Sequence, residues 1–268
     1  MKRLILAICI LTLCAAVFVQ AEQVEWTYPI DATILEDRLN LLVLTNNDNL
    51  LGSDFVPPRL VDLRLRATNR GMQLRQEAAE ALEIMFNKAS ENGYTLYVKS
   101  AYRNYQTQNT MYQNRLDKYR KDDGVVAYPG SSEHQTGLAV DILNYAWTQQ
   151  DGMRPEFSQT DEAKWMKDNC AKFGFILRYP EDKTDITGII FEPWHFRYVG
   201  KEVAAYIMDR DITFEEFHEE YKGAIAAYEA AGGDFAAYCE HLRQLPEPIE
   251  LNQGDNGDSE VSLFYQVP

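Results

Sequence analysis

The chain has 268 residues, 46% of them hydrophobic and 25% charged, which suits one globular domain with a sizeable core. Its net charge of −15 and pI near 4.7 argue against a nucleic-acid binder, which needs basic patches to displace counterions. The same acidity offers no polybasic attraction to anionic lipid.

Lys2 and Arg3 precede an apolar run from Leu4 to Val19, and Val19-Gln20-Ala21 presents small residues for cleavage. Residues 1–21 are therefore predicted to be a signal peptide, with an uncleaved membrane anchor as the alternative. Export to the cell envelope, periplasm or extracellular space is expected either way. Cys14 follows Leu13 where a lipid-attachment site would want a small residue, so lipidation is not expected. Beyond the leader only Cys170 and Cys239 remain; they form either a single disulfide or two thiols, and one pair is no framework.

Residues 22–70 read as an irregular N-terminal arm packing on the core, with a short strand at Leu41-Leu42-Val43-Leu44 and breaks at Asn46–Asn49 and Pro57-Pro58. Residues 73–92 repeat Leu74, Ala78, Ala81, Leu82, Met85, Phe86 and Ala89 at helical spacing, closed by Asn92-Gly93. Tyr94 to Ser100 alternates as a strand. A helix over 106–119 is predicted to carry Gln108, Met111, Tyr112, Arg115 and Tyr119 on one stripe, and Arg103 sits where strand passes to helix. Residues 144–160 read as a polar loop, 161–173 as a helix stopped by Gly174, and 175–177, 188–191 and 196–199 as strands. Helices follow over 201–209 and from a capping box at Thr213 and Glu216, broken at Gly232-Gly233. Residues 211–245 form a C-terminal helical extension; 246–260 read as an acidic linker and 261–267 as a terminal strand. Helices and short strands without a βαβ rhythm predict an α+β fold. His218 and His241, on charged helical stretches, are expected to be exposed.

Two stretches carry chemistry. One is Ser132-Glu133-His134-Gln135-Thr136-Gly137-Leu138-Ala139-Val140-Asp141; the other is Glu192-Pro193-Trp194-His195. Two His and one Asp make a three-ligand zinc site with a coordination position left open. His134 and Asp141 are an odd number of residues apart and would face opposite ways on one strand. His134 therefore belongs in the turn before a strand over 138–143, with Gly137 permitting the bend. Pro193 places Glu192 and His195 on a tight turn between two strands. Asp141 is the most telling residue, since an acid between Val140 and Ile142 needs a partner. Bound zinc lowers the pKa of a water toward about 7 and polarises a carbonyl. Glu192 is then the candidate base, and Arg103 the candidate clamp for a substrate carboxylate or an oxyanion. Trp194 reads as a packing residue beside the site or as a pocket wall.

These two stretches, with Ser100-Ala101-Tyr102-Arg103, resemble the VanY-type D-alanyl-D-alanine carboxypeptidases of peptidase family M15 over roughly residues 40–210. The resemblance implies one Zn2+ on His134, Asp141 and His195, Glu192 as catalytic base, and Arg103 in contact with substrate. It suggests Gln108 and Ser132 as helpers of Arg103 at the substrate site, where Trp194 is the candidate wall. It implies a small antiparallel sheet flanked by helices, similar to hedgehog domains, with the zinc peptidase core over 71–210. The implied partner is a peptidoglycan stem peptide from which the terminal D-alanine is removed; no protein partner is implied. Rivals are an L,D-carboxypeptidase on tetrapeptide stems and a non-catalytic peptidoglycan-binding module. A purely structural zinc site would need a fourth protein ligand, and no further His or Cys stands near either stretch.

Overall fold

The structure is a computed structural model that describes residues 24–122 and 124–245. The expected leader, acidic linker and terminal strand lie outside the described residues. Among those described, no helix is long and apolar enough to cross a membrane.

Residues 24–59 are irregular apart from a single turn, α1 (Ala32–Leu35), capped by the Asp31 side chain. The strand expected at 41–44 does not form. The carbonyls of Leu41 and Val43 instead accept from the Arg197 guanidinium at 2.9 and 2.8 Å, so a side chain takes the place of a ladder. A two-stranded antiparallel pair follows, β1 (Leu60–Asp62) with β2 (Gln73–Arg75). The predicted first helix thus starts three residues late, as α2 (Gln76–Glu91), because Leu74 is taken up by β2. Ala78, Leu82, Met85, Phe86 and Ala89 form its buried face.

The sheet that positions the site has four antiparallel strands: β3 (Leu96–Ser100), β4 (Ala139–Asn144), β5 (Phe175–Leu177) and β6 (His195–Tyr198), in the order β3-β4-β6-β5. Between β3 and β4 lies α3 (Tyr105–Tyr119), capped by Asn104. Its predicted stripe is not a core face. Only Gln108 is buried, and Met111 is 38% exposed, since four of the five stripe members are polar or amphipathic. The predicted polar loop after β4 contains a turn of helix, α4 (Tyr145–Thr148), and a 3-10 turn that buries Phe157. Then come α5 (Asp161–Asn169), a 3-10 turn ending at Gly174, and β5. No strand forms at 188–191; α6 (Thr184–Thr187) and an irregular segment lead into β6, so the Glu192–His195 turn is flanked by a strand on one side only. The chain continues through α7 (Lys201–Arg210), α8 (Phe214–Ala230) and α9 (Phe235–Gln244), and the Thr213–Glu216 capping box is formed.

Two apolar clusters hold these elements. The larger lies between the sheet, α2 and α5 and includes Leu82, Val140, Ile142, Phe157, Met166 and Trp194. The smaller joins Ile30, Leu35 and Leu42 to Val203 and Ile207 of α7, Phe217 of α8 and Phe235 of α9. Cys170 belongs to the first and Cys239 to the second; both are buried free thiols, so the disulfide alternative does not hold. His218 also departs from expectation. It is 4% exposed, because α8 turns it inward against the rings of Phe214 and Tyr221, whereas His241 is exposed.

Candidate metal centre

The β4–β6 register sets Asp141 directly opposite His195. The third side chain arrives from a 3-10 turn, Glu133–Thr136, that runs into β4 through Gly137. Gly137 has φ +68°, and a Cβ there would stand 3.1 Å from both Arg75 Cγ and Leu60 Cδ2, so the turn requires glycine on both counts. His134 Nδ1 donates to the Ala101 carbonyl at 2.7 Å, which fixes the ring and leaves Nε2 free. That Nε2 lies 3.3 Å from Asp141 Oδ2, and His195 Nδ1 lies 3.1 Å from Asp141 Oδ1.

One ligand atom from each of His134, Asp141 and His195 falls within 4.8 Å of the others, and all three side chains are buried. Ligands at roughly 2.0–2.2 Å around a tetrahedral ion sit about 3.4 Å apart, so the measured His–Asp spacings suit a zinc-sized cation. Among the described residues this is the only such cluster. Glu192 stands beside it, with an oxygen 3.6 Å from His195 Nδ1 and its side chain 18% exposed. Arg103 approaches from the β3–α3 junction, Nη1 being 4.0 Å from Asp141 Oδ2. Its guanidinium is held by Gln108 Oε1 at 3.1 Å, Ser100 Oγ at 2.8 Å and Ser132 Oγ at 3.4 Å. Gln108 and Ser132 are themselves buried; both reach Arg103, and Gln108 Nε2 also donates to the Ala127 carbonyl at 2.7 Å. Trp194 is 4% exposed and packs in the larger core beside the turn that carries Glu192 and His195.

Burial is the largest influence on the charges here, and the neighbours decide the sign. Burial and Arg103 push His134 down to about 4, against the pull of Asp141. Burial also acts to lower His195, but Asp141, Glu133 and Glu192 more than offset it and hold it up at about 9. Asp141 is held well below the usual carboxylate range, because the two imidazoles outweigh its burial. The cluster thus favours positive charge at His195, and a proton and a metal ion compete for it. Glu192 is pushed up to about 7 by burial, with His195 pulling the other way.

Behind His195 lies a group that the sequence reading missed. Glu133 Oε1 accepts from Arg178 Nε at 2.8 Å and from Arg197 Nη1 at 2.9 Å, with all three side chains fully buried. Arg178 is also paired with Glu215 of α8. The reasoning that singled out Asp141, a charge inside an apolar strand, applies equally to Arg197 between Phe196 and Tyr198.

Comparisons with known proteins point to one family. The family model described as D-alanyl-D-alanine carboxypeptidase, VanY, matches residues 71–201. The putative carboxypeptidase YodJ of Bacillus subtilis (strain 168) is 42% identical over 194 residues, covering 70% of each chain. Among solved structures, the LdcB LD-carboxypeptidase is 41% identical, with a TM-score of 0.63 over 67% of this chain and 86% of its own. The vancomycin-resistance D,D-pentapeptidase VanY, solved with Zn(II), is 32% identical, with a TM-score of 0.54 over 66% of this chain and 98% of its own. VanYB has also been solved with D-alanine-D-alanine, at the same identity and TM-score over 67% of this chain and 97% of its own. With the matched segment spanning the His134 turn, β4 and the Glu192–His195 turn, this chain belongs to the VanY family of D-alanyl-D-alanine carboxypeptidases.

Proposed function

We propose that this chain is a zinc-dependent carboxypeptidase that removes the C-terminal D-alanine from peptidoglycan stem peptides. The observation that carries the reading is the convergence of His134, Asp141 and His195 within 4.8 Å, with the Glu192 carboxylate 3.6 Å from the last of them. His134 through Nε2, His195 through Nδ1 and the Asp141 carboxylate are the groups that hold the ion. Zinc in that position supplies a water of lowered pKa and polarises the scissile carbonyl.

The remaining work falls to this chain's own residues. Glu192 takes the proton of the attacking water and delivers it to the amine of the departing D-alanine as the C–N bond breaks. A carboxyl group raised to about 7 by burial is suited to both halves of that exchange near neutral pH. Arg103 grips the substrate's terminal carboxylate, and Gln108, Ser100 and Ser132 hold the guanidinium in place for it. The catalytic unit is residues 71–210, with the preceding arm and the extension over 211–245 packed around it. Lys2-Arg3, the following apolar run and Val19-Gln20-Ala21 support export to the cell envelope, where stem peptides lie.

A second reading, L,D-cleavage of tetrapeptide stems, has one observation in its favour. The likeness to LdcB, at 41% identity and TM-score 0.63, exceeds that to the zinc-bound VanY, at 32% and 0.54. Metal analysis of the purified protein, with D-alanine release measured on pentapeptide and tetrapeptide stems, tests both. One zinc per chain and preferential cleavage of the pentapeptide support D,D-activity; preference for the tetrapeptide supports the second reading. Chelator-insensitive hydrolysis would sink them together.

A further inference from the structure

We propose that Glu133 is a positioning residue for His195, and that Glu215, on a helix outside residues 71–201, belongs to the same support. The proposal rests on the metal-centre reading above. With Nδ1 of His195 turned to Asp141 and the ion site, a neutral ring must carry its proton on Nε2. That atom faces Glu133 Oε2 at 3.6 Å. Both atoms are buried and neither has a hydrogen-bond partner of its own, so each is the polar group the other lacks. Metal-bound imidazoles are commonly steadied by such a carboxylate, which orients the ring and raises its donor strength.

Glu133 is in turn fixed from behind. Its other oxygen is saturated by Arg178 and Arg197, which sets the plane of the carboxylate. Glu215 takes the remaining fork of Arg178 with two contacts, at 2.7 and 2.5 Å. The carbonyls of Leu41 and Val43 take Nη2 of Arg197. Two arginines and two glutamates balance in charge, and only Glu215 is partly exposed, so the group brings no net charge into the interior. The arm before residue 71 and α8 therefore both reach the ion site, each through one arginine.

Zinc dissociation constants by chelator competition on the full chain test this, together with the Co(II) absorption spectrum, which reports ligand geometry without reference to turnover. Glu133→Gln is expected to weaken zinc binding about 10–100-fold and to shift the Co(II) bands. Glu215→Gln is expected to weaken it less, in the same direction. Glu216→Gln, one residue along, serves as the control: it loosens the Thr213 cap, touches no member of the group, and should leave zinc affinity unchanged. A folded Glu133→Gln protein that binds zinc as tightly as the parent overturns the proposal, as does an equal loss in Glu215→Gln and Glu216→Gln. If Glu133→Gln does not fold, the Glu215–Glu216 comparison decides alone. A parent chain that binds no zinc overturns the metal-centre reading itself, which separates the two failures.

Discussion

The two edges of the His195 ring face opposite kinds of electrostatic environment. Beyond Nε2 every guanidinium is closed off: Arg178 lies between Glu133 and Glu215, and Arg197 between Glu133 and two backbone carbonyls. Beyond Nδ1 only Asp141 comes within hydrogen-bond distance of the ring, at 3.1 Å; the outer charges stay back, with Arg103 at 4.0 Å from Asp141 and Glu192 at 3.6 Å from the ring. Similar residue types make both sides. The closed side spends its charge on internal pairing, which costs desolvation and gains a single geometry. The open side keeps charge available for an ion and a substrate, and its side chains are held by neutral groups such as Gln108, Ser100 and Ala101 O.

The contrast can be broken from either side. The largest effect is expected at Glu192: Glu192→Gln should lower the hydrolysis rate about 10²–10⁴-fold while zinc content stays the same. Its unfolding midpoint should equal or exceed the parent's, since a buried charge has been removed; undiminished hydrolysis would rule out Glu192 as the base and leave the binding-module rival standing. On the closed side, Arg178→Ala leaves Glu133 with Arg197 alone and takes from Glu215 its ion pair, and should cost about 3–5 kcal/mol in urea unfolding. A loss no greater than that of an exposed pair such as Lys88–Glu91 would show that the group is not closed in solution.

Arg103→Lys keeps the charge and loses the planar fork, so kcat/KM should fall about 10–100-fold, the equivalent of one charge-assisted hydrogen bond at about 1.5–3 kcal/mol. Steady-state kinetics on the stem peptide read this directly, and unchanged kcat/KM would remove Arg103 from the open side. The smallest effect concerns His218, on α8 beside the closed group. Burial pushes its pKa down to about 4, below the 6.5 of an ordinary histidine. As pH falls from 6.5 the unfolded chain takes up the proton first, so stability present above pH 6.5 is lost progressively down to about pH 4. His218→Phe should flatten that part of the plot of unfolding free energy against pH by about 1–3 kcal/mol, read by urea unfolding at each pH; parallel plots for variant and parent would show the ring to be open to water.

The open side was legible in the sequence and the closed side was not, for a physical reason. His134 and Asp141 are joined by a short turn and strand whose periodicity can be read, and Pro193 announces the turn that carries Glu192 and His195. Glu133 meets partners 45 and 64 residues away, and Glu215 lies 37 residues beyond Arg178, so no local pattern marks the group. The same limit explains the misread elements. Leu41–Leu44 has strand composition, yet its carbonyls are claimed by an arginine 154–156 residues on. His218 has charged neighbours in sequence, yet α8 docks with that face inward, in the cluster that holds Leu42. α3 has helical spacing without enough apolar area to bury it.

The pairing of Asp141 with His195 across β4 and β6 has one more consequence. Side chains alternate along a strand, so sliding either strand by a single residue sends one ligand through to the opposite face of the sheet. A chain refolded with misaligned strands would keep its far-ultraviolet spectrum and lose the ion. Metal uptake is therefore a gauge of strand alignment built into the molecule, sensitive to an error of about 3.3 Å that bulk secondary structure does not register.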